Sequence, residues 1–222
     1  MKIRKNIITV AIDSPAAAGA GTQANLIAEK YNLFYLDTGK IYRFIGKLKL
    51  KNSKSFNYSL IKKKIKKLKM IDLHNKDLLT DEVATCASII AKDNKIRKIV
   101  HNFQKQCAYN PPKKYKGSVL DGRDIGSIIM KDAMFKFFIT ASVKTRAMRR
   151  FKEYRQLNKK ISYNNVLASL KKRDFSDINR RYGPLKKTSD SILLNTDKDS
   201  ITSCFLKIKK IMDKKINNDG NL

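Results

Sequence analysis

Gly19, Gly21 and Thr22 stand where an apolar run, Ile7–Ile12, gives way through a loop of small residues to a helical pattern. Glycines let successive backbone N–H groups converge on phosphate oxygens, and a hydroxyl beside them can reach Mg²⁺. The full phosphate-loop pattern, G-x-x-x-x-G-K followed by Ser or Thr, calls for glycine at position 14 and lysine at position 20. This chain has Ser14 and Ala20. The stretch Ser14, Pro15, Ala16, Ala17, Ala18, Gly19, Ala20, Gly21, Thr22 therefore reads as a phosphate cradle whose cation is missing. By itself it reads equally as a strand-to-helix turn built of small residues for close packing.

Further groups able to bind phosphate follow at intervals. Thr38 closes a second apolar run, Leu33–Leu36, and Arg123 and Asp124 close a third, Ser118–Leu120. Arg146, Arg149 and Arg150 recur at i, i+3 and i+4, one face of a helix. Arg173, Asp174, Asp177, Arg180 and Arg181 crowd a segment read as a loop. An arginine fork binds phosphate bidentately, and a carboxylate beside it can hold the fork or accept from a base or sugar. In chain order the alternative for both arginine groups is a solvated, charge-rich surface.

The elements that must position these groups alternate. Ile7–Ile12 is β-branched and apolar, and Ala24, Ile27, Ala28 and Tyr31 give an amphipathic helix from about Thr22. Leu33–Leu36, a helix over Ile41–Leu50, Ser118–Leu120, Phe135–Ile139, a basic helix over Val143–Asn158, Ile192–Leu194 and a last helix through Ile201 and Ile211 continue the pattern. Asp81–Lys92 and Lys95–Cys107 predict two more helices. Strands alternating with helices imply an α/β fold with a parallel sheet. In such a sheet ligands sit beyond the carboxyl ends of the strands, which would bring the strand-end groups to the loop. Lys51–Lys76, rich in Lys, Asn and Ser, reads as an insert or mobile lobe.

The 222 residues carry 49 Lys and Arg against 19 Asp and Glu, a formal charge of +30. That would attract any polyanion, but the lysines are scattered and no aromatic-basic RNA motif accompanies them, so compositional drift explains them better than dedicated nucleic-acid binding. Cys86, Cys107 and Cys204 lack a C-x-x-C pair, which points away from disulfides and zinc and towards a reducing compartment. Met1–Lys5 with the following apolar run imitates a signal peptide, yet Asp13 and Pro15 end that run after about six residues, below an h-region's length. No run is long enough to span a membrane. A cytoplasmic monomer is expected. His74 and His101 show no partner spacing and read as surface residues.

Four motifs in this order, Ile7–Thr22, Asp37-Thr38-Gly39 with Ile41-Tyr42-Arg43, Asp121-Gly122-Arg123-Asp124-Ile125-Gly126, and Arg173-Asp174 through Asp177 to Arg180, resemble the bacterial cytidylate kinases over nearly the whole chain. The resemblance implies a P-loop nucleoside monophosphate kinase, three-layered, with a central parallel five-stranded sheet. It implies one domain, with a core over 1–50 and 81–222, a short monophosphate-binding insert over about 51–80 and a small lid over about 146–180. The implied reaction moves the γ-phosphoryl of ATP to CMP or dCMP with Mg²⁺. By position, 14–22 would hold ATP phosphates, with Thr22 near the metal. Thr38, Arg43, Ser88, Arg97, Arg123, Asp124, Arg173 and Asp177 would bind CMP, and Arg146, Arg150 and Arg180 would neutralise the transferring phosphoryl group.

The chain departs from the pattern at Ala20, at Ser14 and Ala17, where positive φ would be strained, and in its short insert, which lacks an arginine around Leu79-Thr80-Asp81. Lys40 or a lid arginine is expected to replace the missing loop lysine. A nucleotide-binding homologue that is catalytically weak or inactive is the second reading. A basic RNA-binding protein on the same scaffold is the third.

Overall fold

Ile8–Asp13 (β1) is buried along its whole length, as a strand must be when both faces of its sheet are covered. The computed structural model describes residues 6–218; the signal-like Met1–Lys5 lies outside them. Parallel neighbours flank β1. Gly117–Gly122 (β3) pairs from Ile8↔Gly117 to Asp13↔Gly122, and Phe135–Thr140 (β4) pairs from Val10↔Phe135 to Asp13↔Phe138. Leu33–Asp37 (β2) lies beyond β3 and Ile192–Asn195 (β5) beyond β4, so the sheet runs β2-β3-β1-β4-β5 with every pairing parallel.

Side-chain alternation separates two apolar layers. Ala11, Leu36 and Leu120 face a core shared with Thr38–Lys51 (α2), Tyr58–Lys66 (α3), Asp81–Ile90 (α4) and Asn94–Tyr109 (α5). Val10, Ile12, Val119 and Phe137 face Ala20–Tyr31 (α1) and Ile201–Asn218 (α8). Three layers result, as the alternating pattern predicts. The lysine-rich segment after α2 is tied into the first layer: Ile61, Ile65, Leu68 and Leu73 are buried there. Ile61, Ile65 and Leu68 are spaced i, i+4, i+7, a narrow stripe that the surrounding lysines mask in the sequence.

Val143–Gln156 (α6) and Tyr163–Asn179 (α7) pack as a helical hairpin over the carboxyl edge of the sheet. Its core is Ala147, Val166 and Leu170, closed from below by Ala16 of the loop. The charge-rich segment from Arg173, read above as a loop, is helical as far as Asn179. Val166, Leu170 and Asp177 form its buried face, and a carboxylate on that face broke the apolar periodicity that would have signalled a helix.

Gly117 opens β3 against the backbone of Ile8, and a Cβ there would overlap the Ile8 carbonyl. Gly19 has a φ of +89° but open space around its would-be Cβ. Urea unfolding should therefore separate the two: Gly117→Ala costs about 3 kcal/mol or more because the first β1–β3 pair must open, whereas Gly19→Ala costs about 1 kcal/mol of backbone strain. Equal losses would contradict this account of the β1–β3 pairing.

Candidate active site at the carboxyl edge of the sheet

Beyond β1 the chain turns through Ser14, whose N–H donates to the Gly122 carbonyl at 3.1 Å. Ala17 (φ 62°) and Gly19 (φ 89°) both take left-handed conformations, so the strain expected from the missing glycines falls on Ala17 and not on Ser14. Helix α1 then starts at Ala20 with no side-chain cap and no acidic residue in its first turn. Its first N–H groups have no partner within the helix, and they carry the positive end of the helix dipole. Pro15, Ala16, Ala18 and Ala20 are buried, and Thr22 is exposed. Asp13 accepts from the Ile125 and Gly126 N–H groups at 2.7 and 2.8 Å, fixing the loop's entry to the turn after β3. Burial lifts its carboxyl to about 6 against those two bonds.

Two further strand ends bring carboxyl groups to the end of the loop. Asp121 accepts from the Tyr35 hydroxyl at 3.1 Å, and its Oδ2 would lie 3.7 Å from a Cβ placed on Gly21. Thr38 is buried, its hydroxyl donating to the Asp121 carbonyl at 2.7 Å. Asp37 caps α2 by accepting from the Lys40 N–H at 3.3 Å. Burial and then the Asp37 charge push the Asp121 carboxyl well above the usual carboxylate range. Two crowded carboxyl groups, one of them beside Gly21 and so next in the chain to the exposed Thr22, suit a hard divalent cation, whose charge would remove their repulsion. Among the described residues no group of three or more His, Cys, Asp or Glu forms a cage for a metal ion.

Arginines face the cleft from four elements. Arg43 on α2 donates to the Leu78 carbonyl at 2.8 Å, Arg123 follows β3, and Arg150 and Arg173 come from α6 and α7. Burial lowers the Arg43 guanidinium, and Arg150 lowers it further. Burial followed by the Arg123 charge brings Arg173 down to about 10. Asp177 bridges the group, accepting from Arg123 Nε at 2.9 Å, with Arg180 at 3.5 Å and Arg173 at 3.9 Å. Like charges that depress one another across a cleft leave a field suited to a polyanion.

Deeper in the cleft, Asp124 is ion-paired to Arg97, which is 2% exposed, and lies 3.7 Å from both Arg180 Nη2 and His101 Nε2. Burial raises the Asp124 carboxyl, but His101, Arg97 and Arg180 outweigh it, and the group stays below the ordinary range. Gly183, with φ +59°, passes so close that any side chain would strike Arg97 and Asp124. Ser88 on α4 is half-buried, and its hydroxyl has no hydrogen-bond partner among the described residues. The Tyr42 hydroxyl and Arg97 Nε are buried without hydrogen-bond partners among the described residues. His101, expected on the surface, packs instead against the Asp124 carboxylate. Only the fold brings α5 to β3, so spacing gave no signal.

Of the arginines on α6, Arg146 is closed on itself: Nε donates to Ala141 O at 2.8 Å, Nη1 to Ala16 O at 3.0 Å, and the fork meets Asp174 at 2.6 and 3.1 Å. Arg149 is held by Thr196, and Arg150 pairs with Glu153. At the lid tip, Lys159 Nζ and the Tyr154 hydroxyl reach Asp81 at the start of α4, at 3.0 and 3.3 Å. The structure thus gathers Thr38, Arg43, Arg123, Arg173, Asp177 and Arg180 around one cleft, with Arg97 and Asp124 as its floor. It ties Arg146 to the loop rather than to open space.

Comparison with known proteins gives a family and a fold. The family model described as cytidylate kinase matches residues 10–214. The chain belongs to the cytidylate kinase family. Curated relatives include the cytidylate kinases of Paramagnetospirillum magneticum, 42% identical over 84% of this chain and 89% of the relative, and Clostridium tetani, 37% identical over 94% and 95%. The family consists of phosphotransferases. Among solved structures, an uncharacterized protein from Eubacterium ventriosum has a TM-score of 0.55 at 19% identity, covering 93% of this chain and 98% of that one. Shikimate kinase from Bacteroides thetaiotaomicron has a TM-score of 0.51 at 11% identity, covering 93% and 99%. Both show the fold. Among the described residues, no helix is long and apolar enough to cross a membrane.

Two outcomes test this electrostatic layout. Because the folded pKa of Asp121 is raised, its contribution to stability is complete below the unfolded value and is lost as pH rises through the folded value. Asp121→Asn should therefore raise the Tm of the ligand-free protein more at pH about 9 than at pH about 5; a pH-independent shift would remove the carboxylate crowding. Arg173→Met should leave the Tm of ligand-free protein unchanged or higher by relieving repulsion, while costing about 10²–10³ in kcat/KM. A large fall in Tm would mean that Arg173 serves the fold.

Proposed function

We propose that this chain transfers the γ-phosphoryl group of Mg-ATP to CMP or dCMP, giving CDP or dCDP and ADP. The observation that carries the reading is the convergence of the positively charged cleft, with its Arg97–Asp124 floor, on a phosphate loop at one carboxyl edge. The loop's N–H groups and the α1 terminus take the donor phosphates. The residues that would hold Mg²⁺ are Thr22 with Asp37 and Asp121; once bound, the ion offsets charge on the phosphoryl oxygens.

Arg43, Arg123, Arg173 and Arg180 receive the acceptor phosphate and the phosphoryl group in transit, and Arg150 adds charge from the lid. Asp177 orients this set and Asp124 with Arg97 and Ser88 reads the cytosine edge. The cytosine amino group donates to the carboxylate and the ring nitrogen and carbonyl accept from the guanidinium. Thr38 holds the start of α2. Arg146 contributes by docking the lid hairpin on Ala16. The acceptor's phosphate oxygen forms its bond to the γ-phosphorus as the bond to the β–γ bridging oxygen breaks. A dianionic acceptor needs no base, so catalysis is positioning and charge neutralisation. The protein is expected to act in the cytoplasm as a monomer, with no nucleic-acid or membrane partner.

The test is a coupled ADP-release assay with Mg-ATP and, separately, CMP, dCMP, UMP and AMP. Turnover with CMP or dCMP and none with AMP is the expected result. Silence with all four, in protein that binds CMP by calorimetry, would mark a nucleotide-binding homologue without catalysis.

A further inference from the structure

Residues 14–22 contain no cationic side chain, so the donor site has only backbone N–H groups and about half a charge from the α1 dipole. Ala20 is 4% exposed and packs with Ala18 and Ala24 against the sheet. The missing cation must arrive from another element. Most cations around the loop already have partners. Arg146 is closed on Asp174, Arg149 on Thr196, Arg123 on Asp177 and Lys136 on Asp190.

Lys40 is different in three respects. Its side chain makes no ion pair or hydrogen bond with any described residue, and it is half-buried. It sits in the first turn of α2, where the helix dipole disfavours a cation, so the fold gains nothing from the charge there. Its backbone N–H donates to the Asp37 carboxylate at 3.3 Å, Asp37 pairs across the sheet with Asp121, and the Asp121 carboxyl group lies beside Gly21 at the end of the phosphate loop. Lys40 and the loop therefore border the same space. A lysine stem of four carbons lets the ammonium swing within that space.

We propose that Lys40 is the catalytic cation of the donor site, delivered from α2 in place of a lysine in the phosphate loop. It meets the β- and γ-phosphoryl oxygens of the bound triphosphate and neutralises the charge that gathers on the β–γ bridging oxygen as the bond to the γ-phosphorus breaks. No proton moves in this step. The inference rests on the kinase reading for its consequence in turnover, but its binding consequence concerns the triphosphate alone.

The experiment measures the binding of a non-hydrolysable ATP analogue with Mg²⁺, and of CMP, to the full chain and to Lys40→Ala, Lys40→Arg and the double variant Lys40→Ala/Ala20→Lys. Lys40→Ala should weaken the triphosphate analogue about tenfold or more while changing CMP affinity less than about twofold, and should lower kcat about 10²–10³. Lys40→Arg should recover part of the loss. The double variant should recover it if a lysine at position 20 can leave the packed layer. Unchanged triphosphate affinity in Lys40→Ala would overturn the proposal, as would equal losses for triphosphate and CMP. Failure of the wild type to phosphorylate CMP, with the triphosphate effect intact, would remove the acceptor assignment and leave Lys40 in place.

Discussion

Four arginines share two carboxylates at the bottom of this cleft. Arg97 and Arg180 surround Asp124, while Arg123, Arg173 and again Arg180 surround Asp177. Two more, Arg43 and Arg150, add charge without adding a carboxylate close to the cleft floor. The surplus is held in place because each carboxylate belongs to a different rigid piece. Asp124 follows β3 and Asp177 lies on the buried face of α7. Removing either carboxylate would leave the arginines around it as uncompensated charge, which is far costlier than the pairs are stabilising. The lid base and the sheet edge are thereby locked at a fixed separation, and the charge they leave over is available to an anion that bridges them.

The loop of small residues gains its meaning from the same geometry. A conventional phosphate loop concentrates its charge in a lysine of its own. Here Ala16, Ala18 and Ala20 are buried, and the loop has become a packing surface: α7 rests on Ala16, and Arg146 bonds to that residue's carbonyl. These contacts tie the loop to the α6–α7 hairpin. Charge is supplied from outside, by the arginines across the cleft and by the first turn of α2. Backbone groups that need no side chain, the left-handed Ala17 and Gly19 and the open first turn of α1, keep the anion-binding shape.

The architecture was legible because its signals are local. β-Branched runs ended by polar residues gave the strands, and their order with intervening helices gave the parallel sheet. The motif residues Thr38, Arg123 and Asp124 fell at strand ends as that topology requires. Signals that depend on partners across the fold were not legible. The helical end of α7 was hidden because its buried face carries Asp177, whose environment is made by Arg123, 54 residues earlier. His101 looked unpartnered because Asp124 reaches it only through packing of α5 on β3. Arg146 looked like a free lid cation because Asp174 lies 28 residues away, and the crowding of Asp37 with Asp121 exists only in the sheet.

The central claim is that one surplus-charge cleft receives both nucleotides end to end. Its most direct measurement is calorimetric titration with a bisubstrate analogue, cytidine and adenosine joined through a polyphosphate chain, compared with CMP and ATP analogue separately. The account predicts that the joined molecule binds at least about a hundredfold tighter than either part, since the second end is bound intramolecularly, and that raising salt weakens it more than CMP. An affinity no better than that of CMP alone would contradict a single cleft and separate the phosphate loop from the arginines that face it.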